Sequence, residues 1–153
     1  YLIMKIKNLI LIAIFLLQSC GYSPIYSNIK KIDFNLNLTE ILGDNEMNNI
    51  VATKIKKYSK NISKKTYDLK VITNYQKVIL SKNKKGEVTN YLIKKEVIFE
   101  IINPEIKNKF IFNDEIQAKN IDNQFEFKKY ENSIKNNFID SKVEEFIYKL
   151  SNF

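Results

Sequence analysis

The chain offers few residues that could do covalent chemistry. Cys20 is the only cysteine in 153 residues, and the sequence has no histidine. A lone cysteine excludes an internal disulfide, a CxxC redox pair and a cysteine metal site. Without histidine, a serine or cysteine nucleophile lacks its usual general base. The three glycines do not form a GxGxxG or P-loop motif.

Carboxylate pairs are the remaining candidates for catalysis. Asp114-Glu115 and Glu144-Glu145 are adjacent in sequence. Neighbours on a strand or a helix point away from each other, so neither pair forms an acid/base dyad. Separate carboxylates could still converge in space, as they do in glycosidases. We expect that the protein is not an enzyme, and that it uses no cofactor and no metal ion.

The segment before Cys20 gives this cysteine a different kind of chemistry. From Met4, the expected initiator, two lysines precede an apolar run over 9–17. That run is too short for a membrane span, which needs roughly 20 apolar residues, and the pattern is that of a secretory signal peptide. Leu17-Gln18-Ser19-Cys20 resembles a bacterial lipobox. The resemblance implies cleavage before Cys20 and acylation of its thiol and of the new amine.

This pattern divides the chain into three parts. We predict a lipoprotein signal peptide at 1–19, a lipidated tether at 20–28 and a single domain at 29–153. Each buried methylene of an acyl chain contributes about 0.8 kcal/mol, so several chains make a permanent anchor. In the bacterial lipoproteins that this segment resembles, aspartate after the cysteine favours retention in the inner membrane, and Gly21 stands at that position here. The expected location is therefore the outer membrane, on the periplasmic side.

The basic charge comes entirely from lysine. The formal net charge is +8, with 25 lysines and no arginine. Nucleic-acid readers favour the bidentate arginine fork, so we expect no nucleic-acid partner and a largely solvated lysine surface. Five lysines could instead bind the phosphates or carboxylates of a glycolipid, which need cations but not bidentate geometry. These candidates, whose alternative is a solvated turn, are Lys82, Lys84, Lys85, Lys94 and Lys95.

Periodicity predicts the elements that would position these residues. Apolar residues alternate from Ile32 to Leu38, and again over 67–80, 88–101 and 110–121, which indicates four strands. Turn signals at 81–86 and 103–105 predict an antiparallel meander for the last three. Asp44 is a suitable N-cap for an amphipathic helix that extends to Tyr58.

A second amphipathic pattern fills the C-terminus. Apolar residues from Phe127 to Leu150 form one stripe, and Lys128, Lys135 and Lys142 are expected to face away from it. The predicted order is β-α-β-β-β-α. The predicted fold class is α+β, with a four-stranded, mostly antiparallel sheet and two helices packed on one face. Aromatic residues on the strands are expected to lie in the core.

The mature N-terminus and the element order together resemble the LPS-assembly lipoprotein family LptE, of the alphaproteobacterial type. The run from Cys20 to Tyr26, Cys-Gly-Tyr-Ser-Pro-Ile-Tyr, is similar to the Cys-Gly-aromatic-x-Pro-Leu-Tyr start of that family. Thr89-Asn90-Tyr91 falls where the family has Thr-Arg at the start of its third strand. Asn90 replaces that arginine, so no role of the arginine transfers to this chain.

The resemblance implies a function without catalysis. LptE proteins plug the lumen of LptD, a large outer-membrane β-barrel, and help it to insert lipopolysaccharide into the outer leaflet. The implied partners are therefore an LptD-like barrel, lipopolysaccharide and the membrane that holds the acyl chains. The alternatives are an auxiliary periplasmic lipoprotein of an ABC-type lipid transport system and a purely structural envelope protein.

The lipobox makes a direct prediction. Cys20→Ala removes the acyl acceptor, so metabolic palmitate labelling of the protein should be lost. A Ser19→Ala variant, which keeps a small residue before the cleavage site, serves as the control and should label normally. Unchanged labelling of Cys20→Ala would contradict the assignment.

Overall fold

The computed structural model describes residues 32–59, 65–102 and 107–152. The signal peptide, Cys20 and the tether predicted from the sequence lie outside these residues. The elements in chain order are β1 (Asn35–Gly43), α1 (Asn45–Ile55), a short 3-10 helix (Lys56–Tyr58), β2 (Thr66–Lys82), β3 (Val88–Ile102), β4 (Lys107–Lys119) and α2 (Gln124–Ser151).

The four strands form one sheet in the order β1-β2-β3-β4. β1 pairs with β2 in parallel, as α1 between them requires, and the two later pairs are antiparallel hairpins. The predicted α+β class, the β-α-β-β-β-α order and the mostly antiparallel sheet are all confirmed. The first strand begins at Asn35, later than its alternation predicted. It also ends later, because pairing with β2 continues past Leu38, after a bulge, to Gly43.

Both helices begin at side-chain caps. The Asp44 carboxylate accepts a hydrogen bond from the Met47 amide at 2.9 Å. The Asn123 side chain accepts bonds from the amides of Phe125 and Glu126 at the start of α2. These bonds satisfy amide groups that a helix start leaves without partners, so the two caps fix where each helix begins.

The helices cover one face of the sheet and enclose the core there. Phe99 of β3 stacks on Phe146 of α2 with ring centroids 4.4 Å apart, and Phe112 of β4 meets Phe99 edge to face. Met47 and Val51 of α1 are fully buried in the same cluster. Most strand aromatics are thus core residues, as predicted, and the apolar stripes of both helices point at the sheet.

The opposite face of the sheet carries neither of the two described helices and is organised in rows across the strands. One row alternates in charge, and its ion pairs join Lys70 to Glu40 at 2.7 Å and Lys109 to Glu100 at 3.1 Å. The next row is apolar on all four strands. Its members, paired in register from β1 to β4, are Leu42, Ile72, Ile98 and Ile111.

Gly43 ends β1 in a position that only glycine can occupy. Its φ is +108°, and a Cβ there would lie 1.8 Å from the Thr73 carbonyl oxygen. Gly43→Ala should therefore lower the free energy of unfolding by at least about 2 kcal/mol, because both the backbone strain and the clash must be relieved. Urea denaturation would measure the loss.

Gly86 provides the matched control. Its φ is +85°, but a Cβ there would meet nothing within 4 Å. Gly86→Ala should lower the free energy of unfolding by only about 1 kcal/mol, because the left-handed backbone is then the single unfavourable factor. Equal losses for the two variants would show that the close approach of Gly43 to β2 does not matter.

Candidate interaction site

The hairpin tip between β2 and β3 presents lysines to solvent on an ordered turn. The Asn83 side chain accepts hydrogen bonds from the amides of Lys85 and Glu87, at 2.9 and 3.0 Å, and donates to the Glu87 carboxylate at 2.6 Å. Lys82, Lys84 and Lys85 are all exposed. Within the described residues none of the three makes an ion pair, so the tip is a fixed loop with available cations.

Lys94 and Lys95 do not join this group. They lie in the middle of β3, paired with β4, and Lys94 is about 20 Å along the strand from its start near the tip. Lys94 points to the open face and pairs with Glu115 at 2.9 Å. Lys95 is buried on the helix side, where its ammonium bonds Asp114 at 2.7 Å and lies 5.2 Å from the centre of the Phe138 ring.

The five-lysine site is therefore divided by the geometry of a strand. Successive side chains point to opposite faces, so Lys94 and Lys95 cannot act together. Asp114 holds Lys95 in place, and that bond in turn lowers the pKa of the Asp114 carboxyl. Only the three tip lysines remain as a shared cationic surface.

A wide groove lies between the hairpin and the start of α2. Its volume is about 1110 Å³. The tip turn forms one wall, through Asn83 and Glu87, and the first turns of α2 form the other, through Phe127 and Lys128. Periodicity could not reveal this groove, because its two walls are about 40 residues apart in sequence and meet only when α2 docks.

Glu131, which lines the groove, is the centre of a polar cluster. Glu131 of α2 accepts a hydrogen bond from the Tyr75 hydroxyl at 2.7 Å and pairs with Lys77 at 3.1 Å. The Lys77 ammonium also lies 4.6 Å from the centre of the Phe127 ring. Burial, and then the bond to Glu131, raise the pKa of Tyr75 well above its usual range.

A second cluster lies beside it and locks the two helices together. Lys135, expected from its helical position to face solvent, is 3% exposed. Its ammonium bonds both Asp44 carboxylate oxygens at 3.0 and 2.9 Å and Glu46 at 2.7 Å, and it lies 4.0 Å from the centre of the Tyr75 ring. α1 packs against this side of α2, which is why the lysine is covered.

The described residues contain neither a metal cluster nor a membrane helix. No group of three or more Cys, Asp or Glu side chains in 32–59, 65–102 and 107–152 is placed to hold a metal ion. In the same ranges, neither helix is both long and apolar enough to cross a membrane.

No known protein family and no curated protein sequence matches this chain. Solved structures with a similar fold do exist. The crystal structure of rare lipoprotein B from Shewanella oneidensis superposes with a TM-score of 0.51 over 76% of this chain and 98% of that one. This is the rare lipoprotein B fold. Sequence identity is only 15%, so the similarity concerns the fold alone.

A second solved structure repeats the rare lipoprotein B fold. The solution NMR structure of an uncharacterized lipoprotein B from Nitrosomonas europaea has a TM-score of 0.50 and 12% identity. The match covers 80% of this chain and 87% of that one. Nearly the whole of both solved chains therefore corresponds to residues of this one.

The helix lock predicts how stability depends on pH. Hydrogen bonds from Lys128 and Lys135 lower the pKa of Glu46 below its ordinary value of 4.5. A lowered folded-state pKa stabilises the fold above the unfolded pKa, and this stabilisation is lost as the pH falls through the folded value. Glu46→Gln should therefore be less stable than wild type at pH 7. It should also lose less stability than wild type on going from pH 5 to pH 3, as measured by urea denaturation.

Glu96→Gln is the matched control. Glu96 lies on the open face of β3 and makes no ion pair within the described ranges. This variant removes the same charge without touching the helix lock, so its acid profile should follow that of wild type. If both variants follow the wild-type profile, Glu46 does not contribute to acid sensitivity.

Proposed function

We propose that this protein is an outer-membrane lipoprotein of the LptE type. In this proposal it is anchored by acyl chains on Cys20, and it plugs an LptD-like β-barrel and helps it to insert lipopolysaccharide into the outer leaflet. One coincidence carries the proposal: the single cysteine stands at the lipobox position of a chain whose domain has the fold of rare lipoprotein B, an LptE-like lipoprotein. Neither fact alone would suffice, because signal sequences precede many folds and a fold serves many functions.

The surface charges suit a plug. A wide barrel has a polar, water-filled lumen, and much of the charge on the described surface is already paired. The ion pairs of the open face join strands, and on α2 both Lys142 and Lys149 bond Glu145 at 3.0 Å. A surface whose charges are paired can be partly dehydrated against a polar wall without leaving an isolated ion, which would be costly.

The tip lysines suit lipopolysaccharide. The phosphates of this glycolipid are anions that bind compact cations, and Lys82, Lys84 and Lys85 have no carboxylate partner within the described ranges. The Asn83 turn holds their backbone, so the ammonium groups project from one fixed loop. The phosphate site in this proposal therefore consists of these three residues. It does not include Lys94 and Lys95, because they already pair with Glu115 and Asp114.

Affinity purification of the full-length lipidated protein from envelope membranes tests this function. We expect an LptD-like barrel to be recovered in near-stoichiometric amount, with lipopolysaccharide. Recovery of ABC-transporter components in its place would favour the auxiliary lipoprotein, and recovery of neither would contradict both.

A charge variant tests the lipid contact separately. Replacing Lys82, Lys84 and Lys85 with glutamine should reduce the lipopolysaccharide recovered and leave the barrel. The control replaces three lysines that are already in ion pairs on the described surface, Lys70, Lys94 and Lys109. If both triple variants lose lipopolysaccharide equally, the tip has no special role and only the total charge matters.

A further inference from the structure

The distal half of β2 has an unpaired edge. β1 pairs with β2 only as far as Thr73, opposite Gly43. β2 continues to Lys82, with β3 on its other side. Along residues 74–82, no described strand lies on the side that β1 leaves. Within the described part of the chain, the backbone amides and carbonyls of that side have no strand partner, so they can pair with another strand, as at any sheet edge.

This edge is apolar where it is free. Val78, Ile79 and Leu80 are consecutive, and 47%, 50% and 47% of their surfaces are exposed. Val78 and Ile79 point to opposite faces of the sheet, opposite Leu92 and Tyr91 of β3. A strand added here would therefore find apolar side chains on both of its faces.

The other long edge of the sheet is protected, and the contrast is informative. β4 carries Lys109, Asp114, Glu115 and Lys119 along its length. Charged residues on an edge strand oppose pairing with another chain. From Asn74 to Leu80, the only charged residue of β2 is Lys77, which Glu131 engages on the helix side. The protein protects one long edge with charges and leaves this one unprotected.

We propose that the β2 edge from Asn74 to Leu80 is the docking site for an extended segment of the barrel partner, which adds to the sheet as a fifth strand. The inference rests on the function proposed above and specifies the surface that makes the contact. Backbone hydrogen bonds supply the affinity of such strand addition, and the side chains on each face supply its specificity. The bulge in β2 between Ile79 and Ser81 ends the docking edge towards the tip.

The chemistry of the edge defines its occupant. The added strand is apolar at its centre, where it meets Val78 and Ile79. It carries no lysine or arginine at the end that approaches Lys82 and Lys84, because like charges there would repel it. A second copy of this chain that pairs through the same edge does not provide that complement, because it brings its own Lys77 and Lys82 to the contact. A lipid surface does not provide it either, because it has no strand backbone to pair with β2.

The experiment compares two isoleucines at the two edges. Ile79 and Ile111 are 50% and 54% exposed, on β2 and on β4. In the full-length lipidated protein, Ile79→Lys places a charge on the docking edge, and Ile111→Lys makes the same change at the protected edge. The readout is the LptD-like barrel recovered from envelope membranes. We expect Ile79→Lys to reduce recovery about tenfold, a loss of about 1.4 kcal/mol in affinity, and Ile111→Lys to match wild type.

A second measurement does not depend on how the lysine variants fold. A photoreactive phenylalanine analogue at position 79 should cross-link to the barrel on illumination, and the same analogue at position 111 should not. Two results would contradict the docking site and leave the proposed function standing. In the first, wild type and Ile79→Lys recover equal amounts of the barrel. In the second, the analogue at position 79 cross-links to a second copy of this chain. If wild type recovers no barrel, the function itself is wrong.

Discussion

The arrangement of the two helices depends on one buried ammonium group. Lys135 of α2 bonds the carboxylates of Asp44 and Glu46 at the start of α1, and it lies over the ring of Tyr75 on the sheet. It thus joins both helices and the sheet, across about 90 residues of sequence. Removing one partner of a buried ion pair costs about 3–5 kcal/mol, because the other charges remain without compensation. Asp44 is also the cap of α1, so one carboxylate fixes both the start of that helix and its contact with α2.

Local patterns predicted the elements well and their joint geometry poorly. The alternation of β2 and β3 was visible because one face of each is buried, and Asp44 marked a helix start that the structure confirms. The structure places Lys94 and Lys95 in the middle of β3, on opposite faces and in ion pairs, so they do not form one surface with the tip lysines. The burial of Lys135 was not predictable, because helical periodicity places a residue on a face but does not reveal that a second helix covers that face. The groove beside Glu131 was missed for the same reason.

The two halves of the sheet have different characters. Near β1 the sheet has four strands, a helix layer and a core in which Phe99 and Phe146 stack. Beyond Thr73 it has three strands, a polar groove on the helix side and an apolar edge at Val78 and Ile79. The first half stabilises the protein, and its open face carries paired charges. The second half holds the β2 edge that no described strand covers, the groove and the cationic tip.

The topology of the sheet also predicts an order of assembly. β2, β3 and β4 are joined by connections of four or five residues, whereas β1 reaches β2 only across α1 and pairs residues about 30 positions apart. Short loops close at lower entropic cost than long ones, so loop closure favours the hairpins first and β1 afterwards. Among the described strands, β1 is thus expected to join the sheet last. An anchor placed before β1 would therefore be attached to the element whose docking completes the fold.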